Sequence, residues 1–213
     1  MNYKIVSSGS DGNCTILEEI VAIDMGVSYK SISSYVNKLQ LILLTHIHSD
    51  HFNKSTIKRL AKERPTLRFG CCKWLVEYLI ECGVDKRNID VYKFEEGICY
   101  NKKLSIEVFE LFHDVPNCGY KVFINDKKII YATDTNSLGN LEAKDFDLYL
   151  IEGNYENEEE LKSRSESDYY YNRVINTHLS KEYTTEWLLN NMGDSSEFKF
   201  MHEHKEHIKK EGN

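Results

Sequence analysis

The sequence predicts an α/β fold in which short apolar strands alternate with amphipathic helices. Segment 41–44 is short and wholly apolar, as a buried strand is, whereas 54–64 and 73–82 place apolar residues on one helical face. In addition, histidine, aspartate or glutamate comes directly after several of the predicted strands. Ligand-binding groups collect where strands end at one edge of a sheet, so this order predicts a functional site there.

The apolar pattern and the turn-forming residues predict the order of the elements. Strands are expected at 3–8, 14–20, 21–25, 41–44, 67–71, within 91–124, and at 128–133, 146–151, 169–177 and 198–201. Helices are expected from the cap Ser28 to about residue 39, at 54–64, at 73–82, and from the cap Ser180 until Gly193. Residues 125–127 form a predicted hairpin turn, and the acidic stretch 154–168 is either an exposed loop or a frayed helix.

Composition places the chain among globular proteins. It has 213 residues, 41% hydrophobic and 29% charged, with a net charge of −7. This length allows a substantial core, and no linker-like tract interrupts it, so we expect a single domain over residues 1–213. An acidic chain is not expected to hold nucleic acid by bulk attraction, although its charge does not exclude a local basic groove.

The sequence also bears on the cellular compartment. Residues 1–6 lack the apolar core of a signal peptide, and no stretch reaches the length of a membrane span. The spacing of the six cysteines matches neither a zinc ribbon nor a disulfide framework. We therefore expect a cytoplasmic protein with reduced thiols and no membrane partner.

The central motif follows strand 41–44 and places four residues of metal-ligand type within six positions. His46 and His48 are two apart, so on an extended segment their side chains point the same way. Asp50 and His51 fall on the following turn and can face a second centre. Imidazole and carboxylate are the ligands of zinc and its first-row neighbours, so histidines placed at a strand–helix corner by chance are the weaker interpretation.

Four further candidates come from the rest of the chain. His113, Asp134, His178 and His202 each follow a segment that is predicted to be a strand. Together with the central motif, they offer enough imidazoles and carboxylates for two metal ions that share one carboxylate.

Several motifs resemble one known superfamily. Residues 46–51 (HIHSDH) match HxHxDH, the hallmark of the metallo-β-lactamase fold superfamily. Residues 7–14 (SSGSDGNC), 151–154 (IEGN) and 177–180 (THLS) resemble its WalJ/YycJ-like branch, which is related to the RNase Z and phosphodiesterase branches. The resemblance spans essentially the whole chain, and it implies an αββα four-layer sandwich of two mixed β-sheets flanked by helices.

The resemblance also implies a role for each candidate residue. It assigns His46, His48 and His113 to one divalent ion, Asp50, His51 and His202 to the other, and Asp134 to the bridge between them. The ions would be Zn²⁺, with Mn²⁺ as the alternative. Asp24 would support the loop of residues 46–51, called the ligand loop below, through hydrogen bonds.

The implied reaction is the cleavage of a phosphodiester bond by a metal-bridging hydroxide. Asp50 would accept a hydrogen bond from this hydroxide, and His178 would donate a proton to the departing oxygen. A purely structural histidine beside the cap Ser180 is the alternative for His178.

Two features depart from the branch pattern. Tyr155 stands where these proteins usually carry a histidine, and residues 201–207 (MHEHKEH) replace the usual terminal motif. His202 is our choice of last ligand because it directly follows the strand, with His204 as the alternative. His207 is expected at the surface.

The expected function is that of a nuclease, in particular an exonuclease, with nucleic acid as its partner. The acidic charge favours an alternative, a phosphodiesterase that cleaves small cyclic nucleotides. Such an enzyme would resemble the phage-encoded proteins of this fold that degrade the cyclic nucleotide signals of host defence. The basic face Lys54, Lys58, Arg59 and Lys62 is interpreted as a solvated surface, with a phosphate-attracting rim as the alternative. A thioester or lactam hydrolase and a non-catalytic binding module are further alternatives. Aromatic residues 169–171 could support a homodimer.

Overall fold

Two six-stranded β-sheets form the centre of the protein in the computed structural model, which describes residues 1–203. The first sheet contains β1 (Tyr3–Ser7), β2 (Cys14–Leu17), β3 (Val21–Ile23), β4 (Leu41–Leu44), β5 (Arg68–Cys72) and β6 (Ile89–Tyr92), paired in that order. Strands β1 to β3 are antiparallel, whereas β3 to β6 are parallel. The sheet is therefore mixed.

The second sheet has the order β12-β11-β10-β9-β8-β7. Its strands are β7 (Gly97–Asn101), β8 (Leu104–Leu111), β9 (Asn117–Ile124), β10 (Lys127–Ala132), β11 (Leu148–Glu152) and β12 (Glu197–Met201). Strands β10, β11 and β12 are parallel, and β8 runs in the same direction because both β8 and β10 are antiparallel to β9. Their carboxyl ends therefore meet at one edge, where Glu152 ends β11 and where His113, Asp134 and His202 follow β8, β10 and β12.

Six α-helices accompany the sheets within residues 1–203. They are α1 (Tyr29–Ile32), α2 (Lys54–Glu63), α3 (Val76–Glu81), α4 (Glu158–Arg164), α5 (Asp168–Thr177) and α6 (Lys181–Asn191). The side chains of Ser28, Asn53, Asn157, Ser167 and Ser180 cap the amino ends of α1, α2, α4, α5 and α6. These caps accept hydrogen bonds from backbone N–H groups that have no partner within the helix. None of the helices is long and apolar enough to cross a membrane.

Apolar residues form the layers that hold sheets and helices together. On β4, Ile42 and Leu44 pack toward helix residues such as Ile57, whereas Leu41 and Leu43 pack between the two sheets. A strand buried on both faces reads as a continuous apolar run, which explains the sequence of this segment. On the outer face of the second sheet, Leu188 of α6 joins residues of β10 and β11. The predicted αββα sandwich of two mixed sheets is therefore confirmed.

Residues 169–177 correct one prediction, because they form α5 and not a strand. The aromatic and β-branched residues of this segment favour a strand locally. In the helix, however, Tyr170 and Val174 are four residues apart and pack in one small cluster with Leu161 of α4. The cap Ser167 and this buried face outweigh the local preference.

Two other predictions needed adjustment. The helix expected from Ser28 to about residue 39 is only one turn, α1, and is followed by turns. For the acidic stretch, the structure selects the helical alternative over residues 158–164, as α4. Three acidic residues in its first turn face the positive end of the helix dipole, which stabilises it.

Candidate metal centre

Asp24 organises the loop that follows β4. Its Oδ1 accepts hydrogen bonds from the backbone N–H and the hydroxyl of Thr45, at 3.0 and 2.9 Å. Its Oδ2 accepts from Nδ1 of His51 at 2.7 Å and from the hydroxyl of Tyr131 at 3.0 Å. The carboxylate is fully buried, and its hydrogen bonds fix the start and the end of the ligand loop.

His46, His48 and His113 form one cluster at the edge of the sheets. Their ring centroids lie 4.8 to 5.3 Å apart, and one ligand atom from each lies within 4.8 Å of the others. The hydroxyl of Thr45 lies 3.0 Å from Nδ1 of His46, and the carbonyl oxygen of Thr177 accepts from Nδ1 of His113 at 3.1 Å. Hydrogen bonds at Nδ1 leave Nε2 of both rings free to bind a metal.

Asp50, His51 and His202 form a second cluster. Nδ1 of His51 donates to Asp24, so its Nε2 faces the cluster, 3.6 Å from Oδ2 of Asp50. Nε2 of His202 lies equally 3.6 Å from that oxygen. The structure thus brings these three residues together from the ligand loop and from the end of β12.

Asp134 lies between the two clusters. Its Oδ2 is 2.9 Å from Nε2 of His51, and its Oδ1 is 3.4 Å from Nε2 of His202 and 3.8 Å from Nε2 of His113. Its backbone has a φ of 57°, a left-handed conformation, and the side-chain amide of Asn117 donates to its carbonyl oxygen at 2.6 Å. This strained backbone is held by its surroundings, which is common at functional sites.

Unpaired buried atoms test whether this cluster fits a metal ion. Nε2 of His46, Oδ2 of Asp134 and Nε2 of His202 are buried and form no hydrogen bond of good geometry, although Oδ2 of Asp134 lies 2.9 Å from Nε2 of His51. Buried polar atoms without a partner are costly, and a cation bound in each cluster would supply partners for all three. Nitrogen and carboxylate oxygen donors of this kind suit zinc and other first-row metals. The residues therefore fit a divalent metal centre.

Charge in the cluster agrees with this fit. Burial lowers the pKa of His46 well below its usual value, so this imidazole is neutral and can donate its lone pair. Burial also opposes protonation of His202, yet the carboxylates of Asp134 and Asp50 raise the pKa of His202 to about 10. Carboxylates that attract a proton this strongly would also attract a metal cation in its place.

Glu152 is a buried residue of the site that sequence reasoning left without a role. Its Oε1 accepts a hydrogen bond from Nδ1 of His178 at 2.7 Å, and its Oε2 accepts from the backbone N–H of Thr135 at 2.8 Å. Glu152 ends β11 just as Asp134 follows β10, and this shared position was the signal that could have identified it. His178 itself follows helix α5, not a strand, which corrects the basis of its prediction.

Two more neighbours of the clusters were also missed. Nδ2 of Asn13 lies 2.8 Å from Nε2 of His51 and 3.3 Å from the backbone oxygen of Asp50. Oδ1 of Asp114 lies 3.3 Å from Nε2 of His48 and 3.2 Å from Nε2 of His113. For Asp114 the available signal was its position directly after a predicted ligand.

The structure brings the predicted site residues together at one edge of the sheets. They are His46, His48, Asp50, His51, His113, Asp134, His178 and His202. The ring of His178 stacks on that of His202, with centroids 5.2 Å apart and an angle of 17° between the planes. His204, the alternative last ligand, and His207 lie outside the described residues.

The fold and the site together define the class of this protein. It has a metallo-β-lactamase fold that carries a candidate metal centre. The sequence-family model of the β-lactamase superfamily domain matches residues 29–196. The chain therefore belongs to the β-lactamase superfamily. A search of curated protein sequences gave no significant match.

Solved structures share this fold at low sequence identity. The metallo-β-lactamase fold protein YhfI from Bacillus subtilis has 13% identity and a TM-score of 0.69, covering 95% of this chain and 86% of that chain. The short form of human tRNase Z has 12% identity and a TM-score of 0.71, covering 96% and 93%. A diphosphatase from the PhnP family has 13% identity and a TM-score of 0.64, covering 95% and 85%.

Proposed function

We propose that this protein is a dinuclear metal-dependent hydrolase that cleaves phosphodiester bonds, and that it acts as an exonuclease-like nuclease of the WalJ/YycJ-like branch. The observation that carries the proposal is the position of Asp134 between two clusters of imidazoles, with a third group, His178, beside them. Two clusters that share one carboxylate suit a pair of metal ions. A histidine beside such a pair suits proton transfer to a leaving group.

Each proposed metal ion has its own set of ligands. His46, His48 and His113 would hold one, Asp50, His51 and His202 would hold the other, and Asp134 would contact both. A pair of Zn²⁺ or Mn²⁺ ions would supply an activated water and would neutralise charge that develops on a phosphoryl group.

His178 and Glu152 would supply the proton for the leaving group. Nδ1 of His178 donates to Glu152, so its Nε2 is the nitrogen that can face a substrate. The buried carboxylate of Glu152 fixes the orientation of the His178 ring. Oδ2 of Asp50 lies beside the second cluster, where it could accept a hydrogen bond from the attacking water.

Phosphodiester cleavage is supported by motifs and by fold neighbours. The stretches 7–14, 151–154 and 177–180 resemble a nuclease-related branch. Among the proteins of similar fold, one is named a tRNase and another a diphosphatase, and both names concern phosphate chemistry. These likenesses at 12% and 13% identity guide the choice of substrates to test.

A small cyclic nucleotide is the second candidate substrate. The net charge of −7 disfavours bulk attraction of a long polyanion and favours this alternative. The basic residues on α2 favour nucleic acid instead, because Lys54 opens this helix directly after the ligand loop.

A substrate panel tests the proposal. Protein loaded with Zn²⁺ or Mn²⁺ is incubated with end-labelled single-stranded and duplex nucleic acid, cyclic mononucleotides, a thioester and a lactam. We expect stepwise release of mononucleotides from the labelled ends, and loss of this activity in Asp134→Asn. Turnover of cyclic nucleotides alone would replace the nuclease by the second candidate. Turnover of the thioester or lactam without any phosphodiester cleavage would overturn the proposal.

A further inference from the structure

The carboxylate of Asp114, which belongs to none of the motifs named above, lies beside the first cluster of His46, His48 and His113. Oδ1 of Asp114 is 3.3 Å from Nε2 of His48 and 3.2 Å from Nε2 of His113. Ligand atoms around one first-row ion, each about 2.0–2.2 Å from the metal, are separated by about 3 to 3.5 Å. The two measured distances are therefore those expected between ligands of the same ion.

We propose that Asp114 is a further metal ligand, which completes the set His46, His48 and His113 with a carboxylate oxygen. The inference rests on the proposed metal centre and extends it by one protein ligand. It gives the first ion three imidazoles and a carboxylate, in addition to the shared Asp134.

Charge balance supports this assignment. Without Asp114, the first cluster has three imidazoles and no carboxylate of its own, whereas the second has Asp50. With Asp114, each ion has one carboxylate of its own and shares Asp134. Two cations held close together repel each other, and an additional negative charge on the poorer side reduces this repulsion.

Asp114 differs from the other proposed ligands of the first ion in its solvent exposure. The side chain of Asp114 is 56% exposed, whereas that of His113 is 4% exposed. The carboxylate therefore approaches the cluster from its solvent side, which is also the side that a substrate must use. A ligand at this place can be displaced by a substrate oxygen, whereas the buried side chains of His46 and His113 remain bound.

A surface ion pair is the alternative explanation of the same distances. Asp114 could simply attract His48 and His113 when these rings are protonated. The two explanations differ in their consequences for metal binding, because only a ligand contributes to metal affinity. Asp114→Asn preserves the shape of the side chain and removes its charge, and Glu110→Gln provides a matched control on an exposed residue of β8.

Metal titration separates these explanations. Wild type, Asp114→Asn and Glu110→Gln are stripped of metal and then titrated with Zn²⁺ against a competing chelator, and the Co²⁺-loaded proteins are compared by visible absorption. We expect Asp114→Asn to lose about tenfold or more in affinity at one of two sites, with an altered Co²⁺ spectrum. Glu110→Gln should match wild type in both measurements.

The outcomes distinguish this inference from the proposed function. Equal affinities and equal Co²⁺ spectra for wild type and Asp114→Asn would overturn the role of Asp114 and leave the metal centre intact. A wild type that binds no metal would overturn both. A wild type that binds two ions, has a weakened site in Asp114→Asn, and cleaves no phosphodiester would support Asp114 and overturn the proposed reaction.

Discussion

Nδ1 of His178 lies 2.7 Å from Oε1 of Glu152, and this pair stands beside the metal-ligand clusters without belonging to the central motif. Glu152 is fully buried, and its other oxygen accepts from the backbone of Thr135 at 2.8 Å. The carboxylate is thus anchored to the backbone at the loop that carries Asp134. His178 is thereby held in one orientation and one tautomer, which suits proton transfer.

Replacing the carboxylate of this pair should lower the rate of reaction. Glu152→Gln keeps the size of the side chain but removes the charged acceptor that orients the His178 ring. We expect a decrease in kcat of about 10²- to 10⁴-fold with a small change in KM. Steady-state kinetics on a phosphodiester substrate measures this effect, and metal analysis of the same preparation is the control. An unchanged kcat at full metal content would contradict the assigned role.

Asp24 should matter for both stability and metal binding. In Asp24→Asn, an amide group replaces an oxygen that accepts hydrogen bonds from His51, Thr45 or Tyr131. We expect the free energy of unfolding of the metal-free protein to fall by about 1.5–3 kcal/mol, because a buried charge-assisted hydrogen bond is removed. Metal affinity should fall by about 10- to 100-fold, because His51 loses its orienting partner.

Two measurements check the role of Asp24. Urea unfolding gives the stability, and chelator competition gives the affinity. Asp126→Asn, at an exposed turn between β9 and β10, serves as the control for an equal change in charge. Asp24→Asn with wild-type stability and wild-type affinity would refute the supporting role.

Removal of metal should destabilise the protein. Nε2 of His46, Oδ2 of Asp134 and Nε2 of His202 are buried without a hydrogen bond, and bound cations would supply their partners. At a free metal concentration 100 times the dissociation constant, each site contributes about 2.7 kcal/mol to stability. We expect a chelator to lower Tm and added Zn²⁺ or Mn²⁺ to restore it, with a much smaller recovery in Asp134→Asn. A Tm that does not respond to metal would argue against the centre.

The strands of the sheets and the ligand loop could be predicted from the sequence because the patterns that indicate them are local. The apolar run of β4 and the spacing of His46, His48 and His51 are visible within a few residues. The strand predicted at residues 169–177 failed for a non-local reason, since its helix is stabilised by contact with Leu161 of a separate element. Local β preference could not reveal that contact.

Pairing between distant side chains was the part that the sequence could not provide. Glu152 was visible as a residue after a strand, but its contact with His178 joins positions 26 residues apart. Asn13 meets His51 across 38 residues. Which strand end approaches which loop depends on sheet order and packing, so such pairs became visible only in the folded structure.

The basic face of α2 allows a test between the two candidate substrates. Lys54 and Lys58 are exposed, and Nζ of Lys54 lies 5.5 Å from the centre of the Tyr78 ring, whereas Arg59 is engaged by Glu63 at 2.7 Å. Among residues 1–203, neither lysine forms an ion pair with an acidic side chain. Helix α2 begins next to the ligand loop, so a nucleic-acid strand entering the site could contact both.

Reversing these two charges should weaken nucleic-acid binding selectively. For Lys54→Glu/Lys58→Glu, we expect a several-fold increase in KM for an oligonucleotide, and a salt dependence of log KM reduced by about 0.7 for each phosphate of a single strand that the variant no longer neutralises. Turnover of a cyclic mononucleotide should not change. The control is Lys102→Glu/Lys103→Glu, because these lysines precede β8 and so lie at the strand end opposite His113. If both double variants keep the wild-type KM for the oligonucleotide, the basic face is only a solvated surface, and the small-nucleotide alternative gains support.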